Sequence, residues 1–72
     1  MSDEELENRF TYHAPEGNQA ERYEHIRMVA KGFAAMILGN TPESREQSLA
    51  ITHLEEAVFW ANASIARREN KV

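Results

Sequence analysis

Within Arg9-Phe10-Thr11-Tyr12-His13-Ala14-Pro15 lie two aromatic rings, an imidazole and a guanidinium. Rings beside a cation suit a flat, anionic ligand such as a nucleotide. Tyr12 and Phe10 offer faces on which a purine can stack, worth about 1–3 kcal/mol per base. Arg27 and Lys31 follow four residues apart on one face of a helical pattern. They suit phosphates, Arg by a two-pronged contact and Lys as a point charge. The same residues have a plainer reading, in which Phe10 is core, Tyr12 anchors a loop and the cations solvate a helix face. Periodicity by itself favours the plainer one. Arg67-Arg68, at the end of the last helical pattern, suit the negative end of a helix dipole. They meet a multi-phosphate ligand only if several copies converge around an oligomer axis.

Other chemistry finds less support. His13, His25 and His53 show no paired helical spacing, and there is no HExxH. His25 with Glu21, and His53 with Glu56 or Glu55, read as solvated helix faces. Glu55-Glu56 is the most central acidic pair, but neighbours on a helix diverge by about 100° and do not converge on one point. No Gly-rich phosphate loop or Ser-His-acid arrangement stands out. An enzyme is the least expected class, and no cofactor or metal is expected.

The elements that must position these residues are helical. Ser2 and Glu5 form a capping-box pattern, with acids at the positive end of a short helix over about 3–10. A loop covers 11–18, since Pro15 biases Ala14 away from helix and Gly17-Asn18 is a turn signal. Asn18 then reads as the cap of a second helix over about 19–38, with Tyr23, Ile26, Ala30, Phe33 and Ile37 on one face. Gly39 reads as its C-terminal cap. Thr41 and Pro42 read as the start of a third helix over about 42–69, with Ile51, Leu54, Val58, Ala61 and Ile65 on its face. The short connection predicts an antiparallel pair. The whole is read as one all-α domain.

That domain has little to hold it together. The chain has 72 residues, 42% of them hydrophobic, but ten of those are alanines. A core this thin barely offsets ordering of the chain. With no cysteine, disulfides are excluded. Leu49, Ala57 and Trp60 form a second apolar stripe with Phe59 beside it, and Met28 and Met36 do the same on the second helix. A short first helix offering Leu6 and Phe10, with Phe10 as its docking residue, cannot cover both. The rest should meet other subunits, so a homo-oligomer is expected.

Net charge is −4, with the basic residues mostly interleaved among acids. Coating of long nucleic acid is not expected, since that takes a basic face. There is no transmembrane run, and the acidic start differs from a signal peptide, so a cytosolic protein without a membrane partner is expected. Asn62-Ala63-Ser64 matches a glycosylation sequon but lies within a helical pattern.

Taken together, Phe10 to Pro15, Glu21 to Arg27, Pro42-Glu43-Ser44-Arg45-Glu46-Gln47-Ser48-Leu49-Ala50 and Leu54 to Arg67 resemble the phage anti-CBASS sponge family, the second anti-CBASS protein class. The resemblance spans nearly the whole chain. It implies a helical homohexamer that does no chemistry. Such a protein sequesters cyclic oligonucleotides in the cytoplasm of the infected bacterial host, so that the defence effector is never switched on. Cyclic dinucleotides such as 3′,3′-cyclic GMP–AMP would bind between subunits. Tyr12 matches the stacking tyrosine and Arg27, with Lys31 second, the phosphate-binding cation, an arginine where the family has lysine. Phe10 joins the dinucleotide candidates on its ring alone, not through the resemblance. Cyclic trinucleotides would bind on threefold axes through His13, where a relative has asparagine, and Arg67 or Arg68. The rival readings are a helical oligomeric adaptor that binds a protein through the Trp60 face, and a small hydrolase or lyase acting on the same nucleotides.

Overall fold

The computed structural model describes residues 1–69. Among these the chain is all helical, with α1 at Asp3–Phe10, α2 at Gln19–Asn40 and α3 at Arg45–Arg68. Ser2 caps α1, its Oγ accepting from the backbone N–H of Glu5 at 3.1 Å. The Glu5 carboxylate does not return to Ser2 as a full capping box would; it accepts from Arg9 at 3.1 Å and from Arg68 of α3. In the loop Gly17 has φ of +55°, a left-handed conformation that disfavours any residue with a Cβ. Asn18 precedes α2 without capping it, its Oδ1 accepting from Arg22 Nε instead. The Gln19 side chain takes up the free Glu16 N–H, at 2.9 Å.

Two helix ends differ from the sequence expectation. α2 does not stop at Gly39, which is helical and has no positive φ; it runs on to Asn40. Asn40 Nδ2 donates to Met36 O and Thr41 Oγ1 to Ile37 O, both at 2.7 Å. These side chains satisfy orphan carbonyls that a left-handed glycine would otherwise have served. Nor do Thr41 and Pro42 open α3. Ser44 does, its Oγ accepting from Gln47 N at 3.1 Å, while Gln47 Nε2 reaches back to Thr41. Ser44-Arg45-Glu46-Gln47 is a capping-box pattern that competes with Pro42 for the helix start.

α2 and α3 pack on each other. Thr41 and Gln47 join at one end, and Gln19 and Arg22 meet Glu69 at the other, so the start of α2 lies beside the end of α3. The stripe Ile51, Leu54, Val58, Ala61 and Ile65 is half-buried, as are Tyr23, Ile26, Ala30 and Ile37; Phe33 is exposed. No described apolar side chain is fully buried. The molecule measures 46 × 29 × 13 Å, so its thin dimension is close to one helix diameter of about 10–12 Å. A layer one helix thick has two faces and can close neither.

α1 is fastened by polar contacts. The Arg68 guanidinium grips Glu5 through two bonds of 2.8 and 2.9 Å, and Asn8 Nδ2 donates to Arg67 O at 3.0 Å. Phe10, expected to dock the helix, is 83% exposed, and Leu6 is half-exposed. The two lie one turn apart and line an open recess of about 690 Å³ together with Trp60. At the other side of the α3 terminus Glu69 accepts from Arg22 and Gln19.

Hydrogen bonds from these arginines hold the Glu5 and Glu69 carboxyls at about 2, below their usual 4.5. A depressed carboxyl pKa stabilises the fold fully above the unfolded value and loses that contribution as pH falls through the folded one. Melting temperature should therefore hold from neutrality to pH near 4.5 and fall toward about 2. Glu5→Gln should lower it at neutral pH and flatten the fall. Circular-dichroism melts across that window check this, and a wild-type curve without an acid limb contradicts it.

Candidate functional site

The loop of residues 11–18 runs over the junction of α2 and α3, and a recess of about 380 Å³ opens there. Tyr12 and His13 come from the loop, Tyr23 and Arg27 from α2, and Asn62 and Arg67 from α3. The Arg9 side chain reaches its edge. None of the described lining residues carries a carboxylate, although the chain as a whole is acidic at −4. Three arginines and two tyrosines thus line it, with Arg9 paired to Glu5 and Arg27 near Glu24 just outside the lining.

Each group's state follows from its neighbours. Tyr12 is 84% exposed, so its ring has a face to offer. Arg27 sits 3.8 Å from Glu24, one turn back on the same helix, and both side chains are exposed. Such a pair contributes little and exchanges readily for a better anion. His13 is half-buried, with Nε2 at 2.8 Å from Asn8 O. A carbonyl only accepts, so Nε2 carries the proton and donates, leaving Nδ1 as the acceptor of the neutral ring. Asn8 thus joins three parts: its carbonyl holds His13 and its amide holds the Arg67 carbonyl. The position of the loop is thereby referred to the last turn of α3.

Tyr12, Arg27, His13 and Arg67, chosen from sequence for two different ligands, share this one recess. The other three lie elsewhere. Lys31, one turn beyond Arg27, lines a separate groove of about 400 Å³ between α2 and α3, with Ile51, Leu54 and Phe59. Arg27 borders both. Phe10 and Arg68 line the recess under Trp60, which Arg67 also borders, and Arg68 is engaged by Glu5. Sequence reading left Arg9, Tyr23 and Asn62 out of the site. Tyr23 was absorbed into the apolar stripe and Asn62 into an alanine-rich helix; Arg9 stood in the opening cluster, but its spacing from Arg27 gave no sign that they converge.

His53 Nδ1 lies 3.9 Å from Glu56 on an exposed helix face. Among the described residues no group of His, Asp and Glu is arranged to hold a metal ion. No helix among them is long and apolar enough to cross a membrane.

Tyr12, Tyr23 and three arginines thus line one recess with no carboxylate among its described lining residues. The Acb2/Tad1 hairpin-domain family matches residues 2–66. The chain belongs to this family. Acb2 is the anti-CBASS sponge family, whose members bind cyclic oligonucleotides and are non-catalytic. Nothing among curated proteins or solved structures matches the chain. The matched span takes in all of α1, the loop and α2, and α3 up to Ala66. Within that span α2 and α3 form a helical hairpin joined through residues 41–44.

The Asn8 tether has a measurable consequence. Asn8→Ala removes the side-chain hydrogen bond to the Arg67 carbonyl, worth about 1 kcal/mol, between α1 and the α3 terminus. Amide exchange over residues 8–14 should quicken about fivefold, while the α2–α3 ladder is unchanged. Exchange mass spectrometry reads this, and an unaltered loop would show that the Asn8–Arg67 bond does not hold it.

Proposed function

We propose that this chain is a non-catalytic sponge that sequesters cyclic di- and trinucleotide messengers in the infected host's cytoplasm, blocking CBASS-type signalling. One observation carries the reading: in a member of a cyclic-oligonucleotide-binding family, Tyr12, Tyr23 and three guanidiniums line one recess without a carboxylate. In this proposal a base of a cyclic dinucleotide stacks on Tyr12 and its phosphate pairs with Arg27. Lys31 and Phe10 belong to the outer reach of the same ligand or to its second wall. A trinucleotide engages His13, Arg67 and Arg68 from several copies, with phosphate taking the place of Glu5 on Arg68. An anion for an anion is a near-balanced exchange at an exposed pair.

Assembly completes the sites in this proposal. One chain's recess of about 380 Å³ is at the small end of ligand pockets, which span about 300–1,000 Å³. The second wall comes from another copy, and the resemblance gives six. Supporting this, the chain exposes 5876 Å². A compact protein of 8.3 kDa would expose ~4,600 Å². The excess of ~1,300 Å² exceeds the ~800 Å² that one partner contributes to a standard interface. Trp60, 67% exposed, and Phe59 stand on that surface. The same face suits the rival adaptor reading, in which a different protein covers it.

Titration calorimetry with 3′,3′-cyclic GMP–AMP, its relatives and cyclic trinucleotides tests the proposal; no heat from any of them on an assembled sample sinks it. Tyr12→Ala should weaken dinucleotide binding at least fivefold by loss of stacking and leave the oligomer intact in sedimentation. Trp60→Ala should dissociate the oligomer. An adaptor would instead show an exposed apolar groove in the free protein and no nucleotide-linked rise in melting temperature.

A further inference from the structure

Asn62 stands at the wall of the Tyr12 recess with a buried side-chain oxygen, Oδ1, that has no hydrogen-bond partner. Buried acceptors are rarely left in this state, because the group gives up its water and receives nothing. The position makes the choice of asparagine more telling. It lies inside the C-terminal third of α3, flanked by Ala61 and Ala63. Alanine there would be a better helix former and would leave no orphan atom. Within the free chain, then, the carboxamide is a liability on two counts.

The recess shows what this group can supply. Arg9, Arg27 and Arg67 bring donors only, which serve phosphates. A base edge carries N–H groups that need an acceptor. A carboxamide accepts and donates side by side, and matches adenine by accepting from the 6-amino group while donating to N7. Its terminal torsion is broad, so the amide turns into the recess at little cost. We propose that Asn62 reads an adenine base in the Tyr12 recess, its Oδ1 accepting from the 6-amino group. This rests on the cyclic-nucleotide reading above and adds a base preference to it.

The test compares wild type with Asn62→Ala by calorimetry, using cyclic di-AMP and its inosine counterpart, which lacks the 6-amino group, together with melts of the free proteins. Wild type should prefer cyclic di-AMP. The variant should bind it about three- to tenfold more weakly, bind the inosine ligand unchanged, and melt no lower than wild type when free. Equal binding of cyclic di-AMP by both proteins overturns the Asn62 assignment and leaves the sponge reading standing. So does equal weakening toward both ligands, which would mean that Asn62 shapes the recess without reading the base. A lowered melting temperature of the free variant assigns the oxygen a partner in the assembly and overturns it too. Absence of wild-type binding to every cyclic nucleotide removes both proposals together.

Discussion

The last turn of α3 is the anchor on which the remaining parts depend. Three consecutive residues there hold the other two helices, two of them fastening α1 and the third α2. The Arg67 carbonyl receives Asn8 of α1, the Arg68 guanidinium grips Glu5, and the Glu69 carboxylate takes Arg22 and Gln19 of α2. A helix C-terminus is suited to this work, since its final carbonyls lack intrahelical partners and its dipole favours cations. The recess inherits its geometry from that turn, because the Tyr12–His13 loop is tied to Asn8 and Asn8 to Arg67.

Fastening of this kind has its own energetics. The ion pairs lie at the surface, where each contributes little and solvent competes for both partners. α1 and the loop therefore belong to the low-stability end of the molecule, while the α2–α3 seam is tied by half-buried aliphatic packing. A binding site made from a loosely held loop on a firmer hairpin can adjust to its ligand. The same competition lets an anionic ligand displace a carboxylate from an arginine without dismantling a core.

The thinness of the molecule explains why no core exists to dismantle. Large apolar residues stand exposed on every helix: Met28 and Met36 on α2, Phe59 and Trp60 on α3, Leu6 and Phe10 on α1. Polar clasps at the helix ends fix the arrangement of the three helices without covering these residues. The chain is held in shape by a seam and its fastenings, and its apolar surface is left over for contacts that a single copy does not make.

Much of this was legible in the sequence where the determinants are local. The aliphatic spacing of α3 marks its half-buried seam, and Ser2 caps α1, because periodicity and capping act over a few residues. Where two local signals competed, the pattern alone did not choose. Gly39 yielded to Asn40 and Thr41, whose side chains bond the last carbonyls of α2, and Pro42 yielded to Ser44. The site is a different matter. Residue type marked Tyr12 and Arg27, and the family resemblance His13 and Arg67, as groups suited to nucleotides, but neither showed which of them meet. Only the tertiary structure brings those four to one recess, sends Lys31 to the neighbouring groove, and sets Phe10 and Arg68 under Trp60. Those placements depend on contacts between residues some sixty positions apart, such as Glu5 with Arg68, and no spacing along the chain encodes a distance that the packing of three helices decides.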